Sequence, residues 1–163
     1  TCALPILIEK PERYIEKFHD AGADMITVHI EACKPLDETI EKIHSLGMRA
    51  GISVKPGTGI DEFTPFLEAA DMFLIMTVEP GFGGQKYMEG CTDKIKALRR
   101  LLSERGLNKD IQVDGGITRD NIRTVLDAGA NVIVMGSSVF KGNIKENMEF
   151  FRKVLDENDK RGF

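Results

Sequence analysis

The fold is decided by one stretch near the carboxyl terminus, Ala128-Gly129-Ala130-Asn131-Val132-Ile133-Val134-Met135-Gly136-Ser137. It joins the end of a helix, a short apolar strand and a glycine-containing loop. Similar joints precede two earlier strands, at Ala21-Gly22-Ala23-Asp24 and at Ala69-Ala70-Asp71. Small residues let a helix and a strand approach closely, and glycine adopts the left-handed conformation in which many helices end. The recurring joint predicts a chain of βα units.

Short apolar runs alternate with amphipathic segments along the whole chain. We predict strands at 4–8, 25–30, 50–54, 72–76, 111–113 and 132–135. Continuous apolar strands separated by helices are typical of a parallel sheet covered by helices. We therefore expect an α/β fold in a single domain, 1–163. Because a (β/α) barrel closes with eight strands, two architectures remain open: a doubly wound sheet and a barrel that lacks two units.

Composition limits the possible partners of the chain. Its 163 residues include 22 Lys and Arg against 26 Asp and Glu, so the net charge is -4. This balance predicts no nucleic-acid partner and no anionic membrane surface. No apolar run approaches the ~20 residues of a membrane span, and the first residues lack the basic region of a secretory signal. The cysteines (Cys2, Cys33 and Cys91) form no CxxC pair, which favours a reducing compartment. We expect a cytoplasmic protein.

Glycine-rich loops follow three consecutive predicted strands. They are 77–85, Asp114-Gly115-Gly116 and Gly136-Ser137-Ser138. In parallel α/β proteins, ligands bind at the carboxyl ends of the strands, so these loops should meet at one place. Glycine lets several backbone N–H groups point at one anion. The order of the loops predicts a shared phosphate site, although a loop of this kind taken singly more often reflects ordinary turn chemistry.

Asp114 is the best-placed candidate for chemistry. A carboxylate at the end of an apolar strand can point into the mouth of the sheet as a general base or a metal ligand. The alternative is that it caps its own turn. Met76, also at a strand end, is either a core residue or a wall of the site.

Other polar residues have mainly structural interpretations. His29 and Glu31 alternate on one strand with Thr27, and they form either a polar layer inside a barrel or part of a site. Lys55 follows a strand and is expected in solvent. A basic helix is expected to expose Lys94, Lys96, Arg99 and Arg100.

Taken together, several blocks resemble the ribulose-phosphate 3-epimerase family, from about Leu7 to the carboxyl terminus. The most specific block is Met76-Thr77-Val78-Glu79-Pro80-Gly81-Phe82-Gly83-Gly84-Gln85. The others are Ile8-Glu9-Lys10-Pro11-Glu12-Arg13-Tyr14, Ala21-Gly22-Ala23-Asp24, Val28-His29-Ile30-Glu31-Ala32, Val113-Asp114-Gly115-Gly116-Ile117 and Gly136-Ser137-Ser138.

The resemblance implies a TIM barrel that interconverts D-ribulose 5-phosphate and D-xylulose 5-phosphate in the pentose phosphate pathway. It implies a divalent metal ion (Zn, Fe, Mn or Co), with Asp114 both a metal ligand and one of two aspartates that exchange protons with C3. It implies that Met76 walls the site. It implies that the substrate's phosphate is held by Gly81, Phe82, Gly83, Gly84, Gly115, Gly116, Gly136 and Ser137.

The sequence also departs from the family pattern. The family's first two barrel units, which carry a serine and a His-x-Asp-x-Met-Asp-Gly stretch, have no counterpart here, and Pro5 stands where a metal-binding histidine is expected. We therefore predict a partial barrel of about six βα units that is catalytically incomplete unless the missing residues come from elsewhere. The alternatives are a sugar-phosphate-binding protein without catalysis and an epimerase of another ketose phosphate. An unclosed sheet leaves a strand edge to be covered, which predicts a homo-oligomer.

Overall fold

The computed structural model describes residues 3–6, 10–81 and 84–160. Its strands are β1 (Ala3–Ile6), β2 (Met25–His29), β3 (Arg49–Val54), β4 (Met72–Met76), β5 (Asp110–Asp114) and β6 (Val132–Val134). Its α-helices are α1 (Ile15–Asp20), α2 (Leu36–Ser45), α3 (Cys91–Glu104), α4 (Ile122–Asp127), α5 (Ser137–Phe140) and α6 (Ile144–Asp159). Two 3-10 helices occupy Pro11–Arg13 and Ile60–Phe66. Among these described residues, no helix combines the length and the hydropathy needed to cross a membrane.

All six strands form one parallel sheet in the order β1-β2-β3-β4-β5-β6. A doubly wound sheet reverses its strand order at a switch point, whereas a barrel adds each strand beside the previous one. The observed order therefore selects the partial barrel. The predicted α/β class is confirmed, although positions 7 and 8 of the first predicted strand lie outside the described residues.

The central strands, β2 to β5, are buried on both faces apart from strand-end residues of β3 and β5. One face packs against the helices, with Ile52, Phe73 and Val113 in the main apolar core. The other face carries Ser53 and Leu74, which are register partners and are both fully buried. No residue of this second face belongs to the helix-side core cluster among the described residues. The strands therefore curl so that the second face encloses itself, as the interior of a barrel does.

Close packing on this inner face is visible where β2 meets β3. A Cβ atom on Gly51 would lie 2.3 Å from the hydroxyl oxygen of its register partner Thr27. Only glycine therefore lets the two strands keep this spacing while Thr27 points into the interior.

Two predictions about helices were wrong. The sequence pattern predicts an α-helix from about Asp61 to Ala69, but this segment contains a 3-10 helix, Ile60–Phe66, with Pro65 inside. Proline has no N–H to donate to the preceding turn, so an α-helix cannot run through it unbroken. The helical period of the last helix, Ile144 to about Asn158, predicts that Met148 faces the core with Phe151 and Leu155, yet Met148 is 50% exposed.

The expectation of a solvated basic face on α3 was also wrong for two of its four residues. The Lys94 ammonium donates to the carbonyl oxygens of Pro56 and Thr58. The Arg99 guanidinium donates to the carbonyl oxygen of Gly129 at 2.9 and 3.0 Å. Long basic side chains can satisfy backbone carbonyls that a loop leaves without a partner. Lys94 and Arg99 therefore stabilise neighbouring loops by hydrogen bonds to their backbone. Lys96 and Arg100 are exposed, as expected.

Candidate functional site

A cavity of about 320 Å³ lies at the carboxyl ends of β4, β5 and β6. It brings together eight residues predicted from the sequence: Met76, Gly81, Gly84, Asp114, Gly115, Gly116, Gly136 and Ser137. The other two predicted residues, Phe82 and Gly83, lie outside the described residues. The three glycine-containing loops thus share one cavity, of a size that suits a small phosphorylated sugar. The role of each residue stays a prediction.

Hydrogen bonds tie the first loop to the second. At the end of the paired strands, Met76 and Asp114 are register partners. The next residue, Thr77, donates its backbone N–H to the carbonyl oxygen of Asp114 at 2.9 Å and its hydroxyl to the carbonyl oxygen of Gly115 at 2.6 Å. The Thr77 side chain is fully buried. Sequence analysis missed this residue, whose only signal was a hydroxyl immediately after an apolar strand.

Gly116 permits the close approach of the same two loops. It has a φ of 66°, in the left-handed region, and a Cβ atom there would lie 2.2 Å from the backbone nitrogen of Tyr87. A side chain at this position would therefore separate the loop after β5 from the segment after β4.

The third loop joins the cavity through Ser138, whose hydroxyl donates to the carbonyl oxygen of Ile117. Helix α5 begins at Ser137, directly before Ser138. The first N–H groups of a helix have no acceptor inside the helix, so those facing the cavity are available to an anion.

Two acids line the cavity, the exposed Glu79 and the half-buried Asp114, and burial raises the pKa of the Asp114 carboxyl group. No hydrogen bond to its carboxylate occurs among the described residues. The alternative in which Asp114 caps its own turn therefore has no support. A carboxylate that is free and more basic than usual suits proton transfer.

The described residues do not make a metal site on their own. Nowhere in ranges 3–6, 10–81 and 84–160 do three His, Cys, Asp or Glu side chains gather in a way that could hold a metal ion. Asp114 would offer such an ion a single carboxylate, whereas stable metal sites need several ligands at fixed geometry. Any metal at this cavity would need ligands from beyond these residues.

His29 and Glu31 form a separate network outside the cavity. The Nδ1 atom of His29 lies 3.2 Å from a carboxylate oxygen of Glu31. The other oxygen of Glu31 accepts from the backbone N–H of Lys55 at 2.9 Å and from the hydroxyl of Thr58 at 2.5 Å. Burial lowers the pKa of His29 despite its acidic neighbour. Burial also acts to raise the pKa of Glu31, but the hydrogen bonds hold it below its usual value.

This network joins the end of β2 to the loop after β3. Of the two interpretations left open for His29 and Glu31, the structure supports the polar layer, because neither residue lines the cavity. Lys55 also lies outside the cavity lining, and its backbone N–H serves the network.

Comparison with known proteins supports a family assignment. A model of the ribulose-phosphate 3 epimerase family matches residues 3–140. The ribulose-phosphate 3-epimerase of Synechocystis is 46% identical over 142 residues, covering 86% of this chain and 62% of that protein. The ribulose-phosphate 3-epimerase of Bacillus subtilis is 43% identical over 137 residues, covering 83% of this chain and 63% of that protein. The chain thus spans somewhat more than three fifths of the length of these relatives.

Solved structures support the fold alone. A structure described as native KDPGal superposes with a TM-score of 0.65 at 19% identity, covering 96% of this chain and 68% of the other. The 3-hexulose-6-phosphate synthase of Salmonella typhimurium superposes with a TM-score of 0.64 at 18% identity, covering 90% of this chain and 68% of the other. Together with the parallel strand order and the shared cavity, the sequence matches show that the chain belongs to the ribulose-phosphate 3-epimerase family.

Proposed function

We propose that this chain supplies the phosphate-binding part and one proton carrier of a site that interconverts D-ribulose 5-phosphate and D-xylulose 5-phosphate. The observation that carries the proposal is the single cavity into which three glycine-containing loops and Asp114 converge. Family membership makes a pentose phosphate the substrate class that this cavity fits best.

Substrate binding would rest mainly on the backbone. The N–H groups of Gly84, Gly116 and Ser137 belong to three loops that line the cavity, and we assign them to the phosphate group. Backbone donors fixed in a folded loop bind a phosphate without the entropic cost of ordering long basic side chains. Met76, which is buried at the end of β4, forms an apolar wall and limits access of water to the reacting carbon.

Asp114 would move the proton. Epimerisation removes the proton from C3 on one face, which forms a C2=C3 double bond and places the negative charge on the former C2 carbonyl oxygen, and then returns a proton to the other face of C3 as the C2 carbonyl reforms. Asp114 can accept or donate that proton on one face only. The opposite face needs a second carrier, and the enediolate charge needs stabilisation. We infer that the described chain binds substrate but does not complete epimerisation alone.

The divalent metal implied by the resemblance has no full ligand set among the described residues. A metal of this kind would supply charge stabilisation at the enediolate oxygens. We assign Asp114 as one ligand of such a metal.

The deciding experiment compares the chain with Asp114→Asn. D-ribulose 5-phosphate is titrated by calorimetry, and conversion to D-xylulose 5-phosphate is followed by NMR. We expect both proteins to bind the sugar phosphate and neither to epimerise it. Asp93→Asn, which removes an exposed carboxylate from α3, is the matched control. Turnover by the chain alone that is lost in Asp114→Asn would disprove incompleteness, and absence of binding would disprove the site.

Sugar-phosphate binding without catalysis is the second candidate. It is favoured because Asp114 is half-buried whereas the other acid that lines the cavity, Glu79, is exposed, and epimerisation needs two proton carriers held on opposite faces of the substrate. Adding a polypeptide that supplies the missing part of the site separates the two candidate functions. An incomplete enzyme then converts the sugar phosphate, whereas a protein that only binds sugar phosphates does not. An epimerase of another ketose phosphate would show the same loops, and a panel of ketose phosphates tests this alternative.

The predicted cytoplasmic location and homo-oligomeric state remain predictions. The free thiols of Cys33 and Cys91 are buried, and free thiols fit a reducing compartment. Light scattering of the purified chain tests its oligomeric state.

A further inference from the structure

Lys55 is an exposed lysine at the rim of the sheet, directly after the last residue of β3. The next residue is Pro56, and a residue that precedes proline favours the extended conformation of a strand. The alternation of side chains between the two faces therefore continues from Ser53, which is buried on the inner face, to Lys55. The side chain of Lys55 thus leaves the backbone on the inner side of the rim.

Strand register places Lys55 beside two residues of the candidate site. Val54 pairs with Ile75, so the next residue, Lys55, lies beside Met76. Met76 is in turn the register partner of Asp114. Because neighbouring strands are about 4.8 Å apart, two such spacings separate the backbone of Lys55 from that of Asp114. A lysine has a flexible four-carbon stem, so its ammonium group can reach a molecule that lies over Met76.

The charge of Lys55 acts on a side chain of the inner face. His29 is buried on that face, two residues after Thr27. Burial is the main cause that lowers the pKa of His29, and the positive charge of Lys55 adds to it, against the opposing effect of Glu31. The ammonium group of Lys55 is therefore close enough to act on the inner face, which agrees with the direction that the register gives.

The backbone of Lys55 is fixed, whereas its ammonium group has no partner of its own. Glu31 accepts from the backbone N–H of Lys55 at 2.9 Å and from the hydroxyl of Thr58 at 2.5 Å. Lys94 donates to the carbonyl oxygens of Pro56 and Thr58 from the other side. Within ranges 3–6, 10–81 and 84–160, no hydrogen bond or salt bridge engages the Lys55 ammonium. The loop thus holds an unpaired positive charge at the rim.

The direction of the bound sugar follows from the proposed phosphate site. The phosphate is assigned to the loops that carry Gly116 and Ser137, and C3 lies beside Asp114. An extended sugar chain then continues away from β6, over Met76 and towards β3. This direction places C2 and its oxygen between Asp114 and Lys55. When C3 loses its proton, the electron pair of the C3–H bond forms the C2=C3 double bond, and the negative charge moves to the C2 oxygen.

We propose that Lys55 contacts the C2 oxygen of the bound sugar phosphate and stabilises the negative charge that forms on it. The C3 proton goes to the carboxylate, and the ammonium group stays protonated throughout. The charge leaves the oxygen when the carbonyl reforms and C3 takes up a proton. A fixed cation beside a developing oxyanion lowers the energy of the charged state more than that of the neutral ketose. The proposal rests on the proposed function, because it needs the phosphate to be bound as assigned there.

The test uses two four-carbon phosphates that differ at the position of C2. D-Erythronate 4-phosphate carries a carboxylate there and resembles the charged intermediate, whereas D-erythritol 4-phosphate carries a neutral hydroxymethyl group. Calorimetry with the full chain gives the affinity for each, and their ratio measures the preference for negative charge. We expect this ratio to fall at least about tenfold in Lys55→Met, which is the effect of one hydrogen bond between charged groups. Lys55→Arg keeps the charge and should keep the ratio.

Lys96→Met is the matched control, because it removes an exposed lysine from α3 and should leave the ratio unchanged. Circular dichroism checks that the variants keep the helical content of the parent. If the parent binds both compounds and Lys55→Met has the same ratio, the proposal is overturned while the phosphate site stands. An equal fall in Lys55→Met and Lys55→Arg also overturns it, because charge is then not the cause. A parent chain that binds neither compound overturns the proposed function, and this proposal with it.

Discussion

The hydroxyl of Thr77 donates a 2.6 Å hydrogen bond to the carbonyl oxygen of Gly115, and this bond joins the loop after β4 to the loop after β5. Thr77 does not line the cavity itself, but it fixes the relative position of two loops that do. The proposed phosphate site therefore depends on a buried contact behind it.

Thr77→Val tests this contact. Valine keeps the shape of threonine and removes the donor, so the carbonyl of Gly115 loses its partner at a cost of about 1–3 kcal/mol. We expect a lower urea midpoint together with weaker binding of ribulose 5-phosphate. Thr64→Val, at an exposed position of the 3-10 helix, should change neither. Unchanged binding by Thr77→Val would show that the loops are held in place by other contacts.

Gly116→Ala tests the close approach of the loops. The left-handed φ and the clash with the backbone of Tyr87 should together cost about 2–4 kcal/mol. Gly57→Ala is the control, because a Cβ atom there meets nothing within 4 Å. It should stay within about 0.5 kcal/mol of the parent in urea unfolding. Equal stability of the two variants would contradict the loop packing described here.

Glu31→Gln tests the network at the end of β2. The pKa of Glu31 is lower in the folded chain than its usual value. Its carboxylate therefore stabilises the fold in full when the pH is above the usual pKa of a glutamate. The stabilisation disappears as the pH falls through the folded-state pKa. At neutral pH the free energy of unfolding of the variant should be about 1–3 kcal/mol lower than that of the parent. In acid, the two free energies of unfolding should become more similar. Urea unfolding at several pH values measures this, with exposed Glu41→Gln as the control. A difference that is independent of pH would exclude the charge as its cause.

Asp114→Asn should stabilise the fold while it removes the proposed proton carrier. Burial raises the pKa of Asp114, so the folded chain favours the protonated acid and loses stability as the pH rises through the usual carboxyl range. At neutral pH the neutral asparagine avoids this cost, and we expect a higher urea midpoint than for the parent. In acid, where the parent carboxyl is also neutral, the two midpoints should converge. A lower midpoint at neutral pH would indicate that Asp114 has a stabilising partner.

Much of the site could be predicted because it depends on strand order. Apolar runs located the ends of β4 and β5, and parallel strands bring their carboxyl ends to one rim. The sequence alone therefore places Gly84, Gly116 and Ser137 at one site. The family resemblance then predicts the substrate class that these loop residues bind.

The remaining features depend on contacts between distant segments. The role of Thr77 follows from the register between β4 and β5, which no local pattern encodes. Lys94 reaches carbonyls in another loop, although its helical position indicated solvent. Met148 lies on the apolar side of its helix, as its period predicts, yet it is 50% exposed, because periodicity does not show how much of that side the rest of the fold covers.

The most direct test of a shared phosphate site is an NMR titration of the ¹⁵N-labelled chain with inorganic phosphate and with ribulose 5-phosphate. We predict that the amides of Gly84, Gly116 and Ser137, one from each loop, shift together with a single dissociation constant for each ligand. Shifts confined to one loop, or none at millimolar ligand, would contradict convergence of the three loops on one phosphate.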